Sequence, residues 1–138
     1  MPRVSSLFFK TAILFLIAGI AIGLKMSISG VHNVTGAHAH CNLLGWVTMA
    51  LMGTYYTLAP SKAEGRLPVI QYGVYTLGVL IMIPSLYMLL LGNPQYEPGV
   101  AAGSLITFAG VFLFAFVIFS KERVTAAAKA CRKAITVG

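Results

Sequence analysis

The sequence predicts an all-α integral membrane protein with four transmembrane helices, and three observations support that prediction. Of the 138 residues, 58% are hydrophobic and only 9% are charged, whereas a soluble domain carries roughly a quarter charged residues. Four apolar segments each approach the roughly 20 residues needed to cross a bilayer. Polar connections that contain glycine, proline or charged residues separate these segments. We therefore predict spans at about 7–26, 38–58, 68–91 and 99–120.

Small residues recur four positions apart on the first and fourth spans. The pairs are Gly19 with Gly23 and Gly99 with Gly103, and such spacing lets another helix approach closely. The apolar run of the first span is too long for a signal peptide, and no small-residue cleavage site in a polar stretch follows it. We therefore expect the first span to be retained as a helix.

Two further features refine the second and third spans. Pro84 lies within the third span, where the missing backbone N–H is expected to kink the helix. Tyr55 and Tyr56 lie near the end of the second span, and we interpret them as anchors at the membrane interface.

The basic residues predict the orientation of the chain. With four spans, both termini and the second connection lie on one side, and the positive-inside rule makes that side cytoplasmic. We expect a transmembrane domain over 1–120 and a basic cytoplasmic tail over 121–138, in the inner membrane of a prokaryote. The formal charge of +7 follows from this topology, so no nucleic-acid partner is expected. Nine of the ten Lys and Arg residues share the inner side and only Lys25 lies outside: Arg3, Lys10, Lys62, Arg66, Lys121, Arg123, Lys129, Arg132 and Lys133.

His38 and His40 lie one residue apart at the outer, periplasmic end of the second span. An imidazole at the mouth of a membrane helix needs a partner, and a metal or haem iron is a common one. On a helix the two side chains point roughly 200° apart, so they do not readily chelate one ion. An extended segment would instead bring both to one face. The plain alternative is two interfacial histidines bonded to backbone or water.

The start of the second span resembles the second helix of the haem-copper oxidase catalytic subunit (subunit I), and most closely its nitric-oxide-reductase-like branch. The other spans are similar to that family only in number and order. The resemblance covers about 25 residues and rests on His40-Cys41-Asn42-Leu43-Leu44-Gly45-Trp46, followed by Met52-Gly53-Thr54-Tyr55-Tyr56 and Pro60.

The resemblance implies that the chain binds haem b. In that branch the histidine of a His-x-Asn-Leu-Leu sequence ligates a low-spin haem, which makes His40 the implied ligand, with Asn42 and Trp46 beside it. The family's tenth helix carries a His-x-His pair whose members ligate different haems, and His38-Ala39-His40 has the same form. The implied function is electron transfer or the binding of a diatomic gas, O2 or NO, with a redox partner or a quinol.

The chain also departs from the family. The family's subunit has about twelve helices arranged as three four-helix arcs, and its copper-binding histidines and the linked tyrosine have no counterpart here. The chain is therefore not a conventional terminal oxidase, and whether it is an enzyme stays open. We hypothesise that a homotrimer rebuilds the twelve-helix plan. His40 of one chain and His38 of its neighbour would then ligate one haem.

Two other classes of function remain open. One is a protein that binds or handles copper (or zinc), or assists oxidase assembly, without haem; Cys41 beside the histidine pair is a possible soft ligand, although a buried structural thiol is the alternative. His32 is a weaker candidate ligand and is otherwise a solvated loop residue. The other class is an interaction subunit in which the motif serves packing alone.

Overall fold

The computed structural model describes residues 1–121, and this part of the chain forms helices and turns without any strand. The first helix, α1, is Arg3–Ser29. The second, α2 (residues 35–58), comprises Thr35–His40, Cys41–Thr48 and Met49–Leu58, of which the middle segment is a π-helix. The last two are α3, Leu67–Leu90, and α4, Glu97–Phe119. Short 3-10 turns, Pro60–Ala63 and Pro94–Tyr96, precede α3 and α4. Of the predicted basic tail, residues 122–138 lie outside the described residues.

The helices have the length and composition of membrane spans. The most apolar windows of Arg3–Ser29, Leu67–Leu90 and Pro94–Phe119 have mean hydropathies of 2.3, 1.9 and 2.3. Helix α2 has a comparable length but is divided by its π-helical segment. Large apolar side chains cover the outside, among them Leu14, Leu105 and Phe119. The predicted all-helical fold is therefore confirmed for the described residues, with three helices long and apolar enough to cross a membrane and a fourth, α2, of similar length. The predicted boundaries differ by a few residues.

Local sequence explains where the helices begin and end. Helix α1 stops at Gly30, whose φ of 69° is the left-handed conformation that glycine adopts without a steric penalty. Helices α3 and α4 carry Pro68 and Pro98 in their first turns, where no helical N–H is needed. Pro84 does not end α3, which continues as one helix to Leu90.

Glycines bring α3 and α4 together at backbone distance. A Cβ on Gly103 would lie 2.5 Å from the backbone nitrogen of Met82, and one on Gly110 would lie 2.7 Å from the Cα of Tyr75. A Cβ on Gly99 would lie 2.5 Å from the hydroxyl of Ser85. The Gly99 and Gly103 pair therefore packs within the chain, as a small-residue seam between neighbouring helices does.

Polar side chains join the helices in the half of the bundle that holds the α2–α3 connection. The Tyr56 hydroxyl donates to Oε1 of Gln71 at 3.2 Å, and Nε2 of Gln71 donates to the Gly110 carbonyl at 3.2 Å. On the other side of α2, the Ser5 hydroxyl donates to the Gly53 carbonyl at 2.6 Å. The interpretation of Tyr56 as an interface anchor was wrong, because its side chain is 0% exposed and its hydroxyl is bonded inside the bundle.

Lys62 closes the same end of the bundle. Its ammonium donates to the carbonyls of Val117 and Ile118, at 3.1 and 3.3 Å, and to the Ser120 carbonyl. A cation at the last turn of α4 satisfies carbonyls that have no helical partner and complements the helix dipole. This lysine therefore ties the α2–α3 connection to the end of α4.

Candidate functional site at the start of α2

Helix α2 begins before the histidine pair. Its first segment, Thr35–His40, is α-helical, so His38 and His40 lie within the helix. The π-helical segment Cys41–Thr48 follows directly, and π-helical turns occur frequently at functional sites. The Tyr75 hydroxyl of α3 donates to the Leu44 carbonyl in this segment at 3.1 Å.

His38 is fixed against α1. Its Nδ1 lies 2.8 Å from the Gly19 carbonyl, and because a carbonyl oxygen only accepts, Nδ1 carries the proton. A Cβ on Gly23 would lie 2.9 Å from Cε1 of the ring. The ring is half-buried, and in its neutral form Nε2 carries the lone pair.

His40 faces another part of the molecule. Its Nδ1 donates to the Gly36 carbonyl, one turn earlier in α2, at 2.8 Å, so in the neutral ring Nε2 also carries the lone pair. The exposed ring lines a groove of about 290 Å³ between α2, α3 and α4. The other lining residues are mainly apolar, with two hydroxyls: Leu44, Met82, Ser104, Thr107, Phe108 and Val111.

Asn42 belongs with His38. Its Nδ2 donates to the His38 carbonyl at 2.9 Å and lies 3.4 Å from Nδ1 of the same ring. Because that Nδ1 is already a donor toward Gly19, the 3.4 Å contact is packing rather than a hydrogen bond. A Cβ on Gly19 would lie 2.6 Å from the Asn42 amide, so Gly19 and Gly23 make room for Asn42 and His38. The predicted small-residue pair of α1 is therefore occupied by α2 of the same chain.

The other candidate residues make contacts that do not involve the two imidazoles. Cys41 is buried, and its thiol donates to the Phe15 carbonyl of α1 at 3.2 Å. Trp46 is partly buried and packs against the apolar core. His32 is exposed in the α1–α2 connection, with Nδ1 at 3.2 Å from the Gly30 carbonyl. Within residues 1–121 no three His, Cys, Asp or Glu side chains converge in a way that holds a metal ion.

Some residues of this site had a signal in the sequence and others had none. Gly19 and Gly23 have the same four-residue spacing as His38 and Asn42. If both segments are helical, this matched spacing favours their antiparallel packing. The carbonyl partner of His40 follows from helical geometry, since Gly36 is four residues earlier. The groove residues Met82, Ser104 and Thr107 come from other helices, and nothing in their local sequence marks them.

No model of a known family, no curated protein and no solved structure matches this chain.

Proposed function

We propose that this chain is a membrane protein that binds haem b and transfers electrons, with the haem held by histidines of two neighbouring subunits. The observation that carries the proposal is the state of the two rings. Both His38 and His40 donate through Nδ1 to a backbone carbonyl at 2.8 Å. This arrangement is the usual support of a histidine ligand, because it fixes the tautomer and ring orientation and leaves Nε2 for the metal.

The surroundings of His40 fit one face of a haem. The groove is lined mainly by apolar side chains, as a macrocycle held away from water requires. Its volume of about 290 Å³ lies at the lower limit for small-molecule sites, roughly 300 Å³. One chain therefore forms an open groove rather than an enclosed pocket, and this favours a site that a second chain completes.

The divergence of the two rings favours the same arrangement. His38 lies against α1, whereas His40 lines the groove beside α3 and α4. A ring of three chains would let His40 of one subunit and His38 of the next approach one haem from opposite sides. Closed cyclic rings are a common form of homo-oligomer. The distribution of Lys and Arg supports cytoplasmic termini, with the histidines toward the periplasm.

The chemistry follows from the ligands. Bound haem would supply an iron that takes up and releases one electron. The chain's part is to hold each imidazole by its Nδ1–H and to keep water from the groove with apolar side chains. Two histidine ligands leave no open position for O2 or NO, so we favour electron transfer over gas binding. A redox protein or a quinol would supply the electrons.

Absorption spectra of purified protein test the ligand assignment. Reduced-minus-oxidised spectra should show haem b bands that are lost in His40→Ala and in His38→Ala, because each variant removes one of the two histidines that would hold the haem. His32→Ala is the matched control and should keep the bands, since His32 lies in the exposed connection. Colourless wild-type protein that contains stoichiometric copper or zinc would contradict the haem assignment and favour a metal-handling function.

Mixing the two variants tests the shared site. If each haem needs His40 of one chain and His38 of its neighbour, co-expression of His38→Ala and His40→Ala chains restores some complete sites. Random mixing in equal amounts gives about one complete site in four. Ligation within one chain predicts no recovery, and a monomer that keeps two histidine ligands would also contradict the trimer.

A further inference from the structure

A pocket that contains one cationic side chain lies between α1, the α1–α2 connection and α3 at the outer end of the bundle. It has a volume of about 240 Å³, and its polar lining residues are Lys25, Ser29, Asn33 and Tyr87. Lys25 is exposed, donates to the Tyr87 hydroxyl at 2.5 Å, and has its ammonium 5.3 Å from the centre of that ring. The pocket therefore presents one cation with hydroxyl and amide groups around it.

An apolar groove lies deeper along the same two helices. It has a volume of about 420 Å³ and is open to the outside of the bundle between Leu14 and Ala18 of α1 and Leu80 of α3. Leu14 and Leu80 are both more than half exposed, so this part of the chain leaves their apolar surfaces uncovered. The groove reaches inward to Thr11 and Tyr72, whose hydroxyls are 2.6 Å apart.

The pocket and the groove have the spacing of a lipid's two parts. Lys25 and Leu14 are eleven residues apart on α1, which is about 17 Å at 1.5 Å per residue. Half of the hydrocarbon thickness of a bilayer is about 15 Å. A headgroup at Lys25 would therefore place its acyl chain along the groove within a single leaflet.

We infer that the pocket and the groove between α1 and α3 together bind an anionic phospholipid, with its phosphate at Lys25, Ser29 and Asn33 and an acyl chain in the groove. Charge complementarity selects this occupant. Of the two carboxylates in residues 1–121, Glu64 lies at the other end of the bundle and Glu97 begins α4, which does not line the pocket. Lys25 is thus a cation at headgroup depth without a carboxylate in its pocket. An anionic headgroup would supply that charge.

Native mass spectrometry of the detergent-purified protein, titrated with phosphatidylglycerol or phosphatidylcholine, tests the headgroup part. We expect phosphatidylglycerol to bind more tightly, and Lys25→Met to weaken it about fivefold. Lys10→Met is the matched control, since Lys10 is an exposed lysine near the opposite end of the same helix. Equal binding of the two lipids, or equal effects of the two variants, would overturn the inference.

A second pair of variants tests the groove. Ala18→Phe fills it and should reduce phosphatidylglycerol binding while the protein keeps its thermal unfolding temperature. Ile17→Phe adds similar bulk on a neighbouring exposed position of α1 that does not line the groove, and it should leave binding unchanged. Two other results would also refute a lipid site. One is a short-chain quinone that binds in the groove with an affinity unaffected by Lys25→Met, and the other is a second chain that covers the groove.

Discussion

Nδ1 of His38 donates a 2.8 Å hydrogen bond to the Gly19 carbonyl and so fastens the start of α2 to the middle of α1. The bond is possible only because α1 has no side chain at Gly19 or Gly23, where α2 places Asn42 and His38. Packing and ring orientation are therefore coupled at this contact. A change on α1 should therefore alter the proposed haem site without touching the haem itself.

Gly23→Ala tests that coupling. The new methyl group would lie 2.9 Å from Cε1 of His38, which is closer than real Cβ contacts, so the ring must move. If His38 holds haem as proposed, we expect shifted or weakened haem b bands and a changed midpoint potential, because its imidazole would be misoriented.

Gly73→Ala is the control for that variant. It makes the same substitution on α3 at a position where a Cβ meets nothing within 4 Å. The haem bands and potential should stay as in the wild type. Equal spectra for wild type and Gly23→Ala would show that His38 is not a ligand.

Gly103→Ala addresses the wall of the His40 groove. A methyl group there would lie 2.5 Å from the backbone nitrogen of Met82, and a backbone atom cannot rotate away. Forcing α3 and α4 apart should lower the free energy of unfolding by about 1–3 kcal/mol, measured as a lower thermal midpoint in detergent. Gly73→Ala again serves as the reference, and an unchanged midpoint for Gly103→Ala would contradict the close packing of α3 on α4.

The sequence predicted the approximate limits of the long helices because bilayer thickness sets the length of an apolar span directly. Prediction from the sequence failed where contacts between helices determine whether a side chain is buried. Tyr56 is amphipathic, and only the position of Gln71 on α3 makes it a buried partner rather than an interface anchor. The π-helical segment after His40 has no signature in the local sequence. The Tyr75 hydroxyl, which donates a hydrogen bond to the Leu44 carbonyl in that segment, comes from another helix.

The same limit applies to the site. The two histidines stood out because imidazoles are rare and costly at a membrane boundary. The carbonyl that His38 contacts, that of Gly19, is a backbone group of another helix, which no residue pattern marks. The small-residue pairs were recognisable as contact surfaces, yet spacing alone did not distinguish a helix of the same chain from a neighbouring subunit. Gly19 and Gly23 contact α2 of their own chain.

The buried Gln71 predicts a measurable coupling. Gln71→Leu would leave the Tyr56 hydroxyl and the Gly110 carbonyl without their partner, at a cost of about 1–3 kcal/mol. Tyr56→Phe in the same chain removes one of the orphaned groups, so the double variant should lose less than the sum of the two single variants. A double-mutant cycle of thermal or denaturant unfolding measures this difference. Strict additivity would mean that the 3.2 Å bond contributes nothing.

Lys62→Met should loosen the end of α4. The lysine donates to the carbonyls of Val117 and Ile118 and to Ser120, and its removal leaves them without that donor. Because Lys62 is partly exposed, water replaces some of the loss, and we expect a cost of about 1 kcal/mol. Amide hydrogen exchange should rise in the last turn of α4 and stay unchanged in α1.

Lys62→Arg keeps the charge and should recover part of the protection in the last turn of α4, whereas Lys10→Met should have no effect there. Equal exchange in Lys62→Met and wild type would show that the lysine does not hold the helix end.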